Sequence, residues 1–546
     1  MSDFKTDTLN VGTLFAQERF YRVPAYQRPF SWDDDQFDDL ILDIKDADRN
    51  TTYFVGTIVL HKENDGTFAI VDGQQRLTSL LILLACLRDA IEEVQYKNGI
   101  QDKIMQQRRV TDGIPERVRI EVKDRDIFQQ MVVEDDGTRK SPDEKDLTAP
   151  QRRYVTAARI FHSRIAGLNQ AQKKELVTFI NQKCVMVYLL ADSFEQAFRL
   201  FEIVNDRGKQ LRRIDILKSI NISPDVITQD TVRSRIAQSW EETEEELGED
   251  TFESIFFLIR LILLKDKPQA DLLFEFQNRI FAKGLVKKGE PFARTLFEYA
   301  ALYREIFIDK TYLGADDKYS IRYQSLIHIM DQEFRASEWR ACLLQFARKF
   351  GRKQFYEFCL AIEKLFLTQW VEGVRKDERY DSYVKVLTAI DNEKEPAKVI
   401  SVVPSDQKSI IAAITKDNLY TAGYCKYALL RLELVTSEHD VPKFFSAKSI
   451  EHVYPQTPAP GSAWLKGVKA DEIESFVNKA GNLVLISKSR NSSASNYEFE
   501  EKKNKYLKPR VTDYPRSVQV LGYSEWTKKV IEDRTKEVGK IFLDEL

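Results

Sequence analysis

Between about Ile214 and Tyr424 the sequence is patterned almost without interruption for helix, in runs such as FESIFFLIRLILL, ACLLQFARKF and FYEFCLAIEKLFL. Apolar residues recurring at helical spacing over so long a stretch demand helix-on-helix packing and divide the chain into three. Upstream, YFVGTIVLHK and FAIVDG read as strands and LTSLLILLACLRDAIEEV as a buried helix, which is the pattern of an α+β domain. Downstream of about Ala447 the pattern changes to short strands, turns and polar motifs. A chain of 546 residues also exceeds one ordinary core. We therefore expect a multidomain, mainly α protein with parts at 1–225, 226–440 and 441–546. Residues from about Asn98 to Pro150 are polar and loop-like apart from RVRIEV, and read as an elaboration of the first part and a candidate for mobility.

Composition excludes several classes. Hydrophobic residues at 43% and charged residues at 31% fit a chain with packed cores and a soluble surface. The longest apolar run, Leu80–Leu87, is far short of a bilayer span, and MSDFKTDTLN lacks a signal core, so we expect a soluble intracellular protein with no membrane partner. Five scattered cysteines (Cys86, Cys184, Cys342, Cys359, Cys425) argue against a disulfide framework or a thiolate zinc site and read as reduced core residues. The acidic run from Trp240 to Asp250 reads as a solvated helix face. A net charge of -3 means that any nucleic-acid contact must be local. One basic patch exists: Lys479, Lys488, Arg490, Lys502, Lys503, Lys505, Lys508 and Arg510 outnumber Glu498, Glu500 and Glu501.

Beside that patch, SIEHVYPQTP sets a carboxylate next to an imidazole, followed by GNLVLIS and SRNSSASNYEFEEKKNKY. Phosphodiester hydrolysis needs a base to activate water and a divalent cation to neutralise phosphate charge. Histidine supplies the base near neutral pH, and oxygen donors hold a hard metal. A lone Glu-His pair is usually a surface pair and a lone Gly-Asn usually a turn; their order, with the basic segment following, favours a nuclease. The motifs EHxxPQ, GNL and a later asparagine resemble the C-terminal domain of GmrSD-type restriction endonucleases, a branch of the HNH or ββα-metal nucleases. The resemblance implies Glu451 and Asn491 as ligands of Mg2+, Mn2+ or another divalent cation, His452 as general base and Asn482 as the residue orienting it. Asparagine stands at Asn491 where many HNH proteins have histidine. Pro455, Gln456, Phe499, Trp526 and Arg534 also match. Lys488, Arg490, Asn496, Lys502 and Lys503 become candidate DNA contacts.

The N-terminal part carries VPAYQRPFSW at 23–32 and VDGQQRLTS at 71–79. A glycine turn between a strand and a long helix presents backbone N–H groups and the positive dipole end to an anion such as phosphate. Arg76, Gln74 and Gln75 would add hydrogen bonds, and Asp72 would reach a metal or sugar; yet many such turns bind nothing, and no Walker A sequence is present. The motifs YQRPFSW, FVGTIVL, DGQQRLTS and FEIVNDRGKQL resemble the N-terminal domain of the same family, related to the ParB and sulfiredoxin fold, where DGQQR serves nucleotide binding and hydrolysis. The resemblance implies a nucleoside triphosphate site of Asp72, Gly73, Gln74, Gln75, Arg76 and Thr78, lined by Tyr26, Gln27 and Arg28, with Asn205 and Arg207 as weaker members; a helix C-cap alone explains Gly208. For Gln27 and Arg28 a brace beneath the turn is an almost equal reading. Tyr26, Phe30 and Trp32 read as core before base-stacking surface.

The resemblance covers roughly residues 8–90, 180–220 and 445–540. It implies a type IV restriction endonuclease of the prokaryotic cytoplasm, in which nucleotide turnover gates metal-dependent cleavage of modified double-stranded phage DNA. A single site of this kind cuts one strand at a time, which leaves a homodimer open. The alternatives are a nucleotide-dependent DNA-binding regulator that retains the nuclease motif as scaffold, and an RNA-cleaving toxin-like effector.

Overall fold

The computed structural model describes residues 5–545 apart from 17–18, 25–26, 28, 64, 109, 141, 192–195, 198–199, 201–211, 224, 447–448, 487–496 and 505–513. The chain forms two compact units, Met1–Ala237 and Gln238–Leu546. No helix among the described residues is long and apolar enough to cross a membrane.

The first unit is built on strands β1 (Lys5–Asn10), β2 (Tyr21–Arg22), β3 (Tyr53–Lys62), β4 (Phe68–Asp72), β5 (Met105–Gln106), β6 (Arg117–Val118), β7 (Ile120–Glu121) and β8 (Cys184–Ala191). Six of them form a mixed sheet in the order β1-β8-β3-β4-β2-β7, while β5 and β6 make a separate ribbon. β4, β2 and β7 run parallel, so the segments that follow them leave from one edge of the sheet. Those segments are the DGQQR turn, the VPAYQRPFSW stretch and residues 122–124.

The helix Gln74–Ala90 is apolar on all sides, and it is buried along nearly its whole length. Helices Ala149–Ile165 and Gln170–Gln182 pack against it. Helix Asp34–Asp46 starts with a capping box, Asp33 Oδ1 accepting from Gln36 N–H at 3.2 Å and Gln36 Oε1 from Asp33 N–H at 3.0 Å, with acidic residues in its first turn suited to the helix dipole. Phe30 is core, packed on Phe37 and Tyr154, and Trp32 packs edge-on against Phe37.

The polar elaboration is part of this core and not a loose excursion. Phe128, Met131, Val132 and Val133 are buried in it. Buried Arg88 donates to the carbonyls of Val132 at 2.9 Å and Glu134 at 2.6 Å, and pairs with Asp89 at 2.7 Å. Asp89 in turn accepts from the N–H and hydroxyl of Thr138 at 3.0 and 2.6 Å. Irregular backbone can be buried when such groups satisfy its polar atoms.

In the second unit, helices Glu249–Leu264, Glu290–Tyr303, Ser320–Glu333, Glu338–Phe350, Phe355–Val371, Lys376–Asn392, Gln407–Thr415 and Cys425–Thr436 realise the long helical pattern. Trp240, Phe252, Phe256, Phe276 and Phe292 form one aromatic cluster, and Phe334 stacks on Phe366 at 3.7 Å. The acidic run lies outward, with Glu242, Glu245, Glu246, Glu249 and Asp250 exposed. All five cysteines are buried and unbridged. The last two helices of the block pack on the terminal helix Lys528–Glu545, and buried Glu433 accepts from Arg516 N–H at 2.7 Å.

Candidate functional site

In the second unit, β9 (Ser449–His452) and β10 (Leu483–Ile486) pair antiparallel, with Glu451 opposite Val484 and His452 opposite Leu483. The long connection between them closes over its own core of Tyr454, Trp464, Ile473, Phe476 and Val477. The short helix Phe499–Lys502 follows in the chain. The hairpin thus brings the EH and GNL motifs side by side.

The GN step is fixed by the terminal helix. A Cβ on Gly481 would fall on the Ile531 carbonyl oxygen, so only glycine permits this approach. Gly481 N–H donates to Thr535 Oγ1 at 3.0 Å and its carbonyl accepts from buried Arg534 at 3.1 Å. Asn482 is wholly buried, and its amide is fully used. Oδ1 accepts from Tyr454 N–H at 2.7 Å and Trp526 Nε1–H at 2.9 Å; Nδ2 donates to the carbonyls of Tyr454 at 2.9 Å and Val477 at 2.7 Å. The Asn482 amide makes no hydrogen bond to the His452 ring, because its four bonds leave no capacity for one. It holds the backbone just beyond His452 instead.

The partner of His452 is Asn478, whose Oδ1 lies 3.0 Å from Nε2 of the ring. Tyr420 meets the ring edge-on at 4.4 Å between centroids. His452 is 8% exposed, and burial pushes it down to about 4, with the Lys502 charge adding to that effect and the Asn478 hydrogen bond opposing it. An imidazole so placed is neutral at pH 7 and keeps one ring nitrogen as an acceptor, while its burial makes it a weaker base than a free histidine.

Lys502, a candidate DNA contact by the resemblance, is 2% exposed and turned inward in this structure. Its Nζ donates to the His452 carbonyl at 2.7 Å and to Glu451 Oε1 at 3.3 Å. The buried ammonium thereby fixes the Glu451 carboxylate. Lys503 pairs with Glu500 at 2.8 Å and donates to the Tyr523 carbonyl at 2.9 Å. Lys488, Arg490, Asn491 and Asn496 lie outside the described residues. Among the described residues no three His, Cys, Asp or Glu side chains cluster as metal ligands. What the hairpin offers a cation is one carboxylate, a hard oxygen donor of the kind that magnesium uses singly or in pairs with water completing its shell.

In the first unit the DGQQR turn has the geometry its sequence requires. Gly73 sits at φ 93°, where a Cβ would lie 2.5 Å from Ile58 Cγ2, so both conformation and space call for glycine. The first intrahelical bond runs from Leu77 N–H to the Gly73 carbonyl at 3.0 Å, which leaves the amides of Gln74, Gln75 and Arg76 ahead of the helical ladder. Gln75 is a brace: its Oε1 accepts from Ser31 and Trp32 N–H at 2.9 and 3.2 Å, and its Nε2 donates to the Pro29 carbonyl at 3.0 Å. Gln27 is a second brace, donating to the carbonyls of Ile70 and Val71 at 3.1 and 2.7 Å. Arg76 is half-buried over Gly56 and donates to the Thr57 carbonyl at 3.3 Å. Asp72 ends β4 at the same turn. Among the described residues, Gln74 Oε1 and Thr78 Oγ1 are buried without a hydrogen-bond partner. Tyr26, Arg28, Asn205 and Arg207 lie outside the described residues.

Asn478 and Tyr420 escaped the sequence reading because neither belongs to a motif. Asn478 is an ordinary helix-end asparagine in sequence, and Tyr420 arrives from the helical block; only Gln456, which donates to Asn478 Oδ1 at 3.1 Å, belonged to a recognised motif.

A comparison with individually curated proteins gives no match. Two family models do match: the GmrSD restriction endonuclease N-terminal domain over residues 11–222 and the GmrSD restriction endonucleases C-terminal domain over residues 404–541. The first spans the mixed sheet and its DGQQR turn, and the second runs from the helices beneath the hairpin to the terminal helix that seats Gly481. With both ends matched in order and each containing one of the two sites described, the chain belongs to the GmrSD restriction endonuclease family.

Proposed function

We propose that the hairpin is an HNH-type, divalent-metal-dependent phosphodiesterase acting on double-stranded DNA, and that the first unit, a ParB/sulfiredoxin-like domain, binds and hydrolyses a nucleoside triphosphate to govern it. The observation that carries the reading is a neutral, buried, hydrogen-bonded His452 directly following a carboxylate on a strand. In this reading His452 takes a proton from water, the resulting hydroxide attacks phosphorus, and the bond from phosphorus to the leaving oxygen breaks. Glu451 and Asn491 would hold the cation, which when bound neutralises charge on the phosphate and the leaving oxygen. Lys502 keeps the Glu451 carboxylate in place.

The nucleotide reading is supported by the helix N-terminal amides and by the unsatisfied Gln74 Oε1 and Thr78 Oγ1 at the turn, polar atoms that a ligand would satisfy. The amides of Gln74, Gln75 and Arg76 would face phosphate, and Gln27 and Gln75 hold the surrounding loop. The biological role that follows is type IV restriction of modified phage DNA in a prokaryotic cytoplasm. With one such EH hairpin among the described residues, double-strand cleavage takes two events or a homodimer.

The test is a nicking assay on base-modified bacteriophage DNA and plain plasmid, with Mg2+ or Mn2+ and each nucleoside triphosphate. His452→Ala is expected to abolish cleavage while sparing nucleotide hydrolysis; cleavage at the wild-type rate refutes the base. Arg76→Ala is expected to weaken nucleotide binding in calorimetry, and wild-type affinity removes it from the site. Binding without cleavage by the intact chain points to a regulator, and cleavage of RNA alone to an effector of another kind.

A further inference from the structure

We propose that Asn478 is the positioning residue for the general base, holding His452 in the tautomer with a proton on Nε2 and the basic lone pair on Nδ1. The inference rests on the nuclease reading above and adds to it a residue outside the recognised motifs. Asn478 Oδ1 lies 3.0 Å from His452 Nε2 and also receives the Gln456 amide N–H at 3.1 Å. An oxygen that already accepts from one amide faces the ring as an acceptor too, so Nε2 carries the proton. The second partner restrains the ring's remaining rotation: Tyr420 packs edge-on against it at 4.4 Å.

The two restraints are one assembly. The backbone carbonyl of Asn478 accepts from both Leu419 N–H at 3.1 Å and Tyr420 N–H at 3.2 Å, so the residue that bonds the ring also seats the residue that packs on it. Asn482, four positions on, is excluded from this role by its own four bonds. A positioned general base contributes about 10²- to 10⁴-fold, and a ring in the wrong tautomer forfeits that factor.

The experiment uses the full chain with Mg2+ or Mn2+ and base-modified bacteriophage DNA, together with ring spectra of the ¹⁵N-labelled histidines, five in the sequence. Asn478→Leu is expected to lower the single-turnover rate by about 10²-fold at unchanged apparent KM, and to replace the Nε2–H signature of His452 with a mixture of tautomers. Asn478→Asp keeps an acceptor in place and should restore both the signature and most of the rate. Tyr420→Leu, at a position 37% exposed, should retain the tautomer and lose rate, which keeps the proposal testable if Asn478→Leu unfolds. Wild-type rate or an unchanged tautomer in Asn478→Leu, with His452→Ala inactive, overturns this proposal alone. Wild-type cleavage by His452→Ala overturns the nuclease reading and this one together.

Discussion

Replacing Asn482 with alanine separates a structural brace from an orienting residue. The side chain is wholly buried and makes four hydrogen bonds, to Tyr454 N–H, Trp526 Nε1–H and the carbonyls of Tyr454 and Val477. Each such bond contributes about 1 kcal/mol net, and each partner left buried and unpaired costs at least that much, so the loss is about 4 kcal/mol. For a unit of this size about 2 °C accompanies each kcal/mol, which gives a fall in Tm on the order of 8 °C for the second unit. The assay is calorimetry resolving the transitions of the two units, with nicking measured on the same samples at a temperature where the variant stays folded. Asn482→Ala should unfold early and, while folded, lose activity only as far as the 453–454 backbone shifts. A Tm change under about 2 °C combined with a 10²-fold rate loss would refute the brace and return the orienting role to Asn482.

Lys502→Met should lower the cleavage rate, because Glu451 and the His452 carbonyl lose a buried partner, while the salt dependence of DNA binding stays as in the wild type; a slope reduced by about one would mean that Lys502 does contact phosphate. Gly73→Ala must accept both a φ of 93° and an overlap with Ile58, so it should destabilise the first unit by about 1–3 kcal/mol or more and weaken nucleotide binding; an unchanged first transition in calorimetry would refute the requirement. Gln75→Leu leaves the amides of Ser31 and Trp32 and the Pro29 carbonyl without their partner, and faster hydrogen exchange at residues 31–32 is the expected signature.

Sequence by itself determined the elements and their local chemistry. The strand–glycine–helix at 68–90, the helical block and the EH and GNL motifs were legible because each rests on a short-range signal: apolar periodicity, the glycine that a positive φ requires, and a local residue pattern; that the two motifs pair as neighbouring strands was not legible. The burial of Phe30 followed from its type, while Trp32 is only partly buried against that core. Partner choice was not legible, because it depends on which backbone the tertiary fold brings past a side chain. Asn482 is occupied by Trp526, a residue 44 positions away, and so leaves the histidine to Asn478. Lys502 has the charge of a phosphate contact, but folding buries it between Glu451 and the His452 carbonyl. Gln75, expected at the nucleotide, became a brace for the backbone of residues 29–32, whereas for Gln27 the brace beneath the turn was one of the two readings its sequence offered. A polar side chain buried by folding must take the partners within reach, and those are set by long-range packing that no local motif encodes.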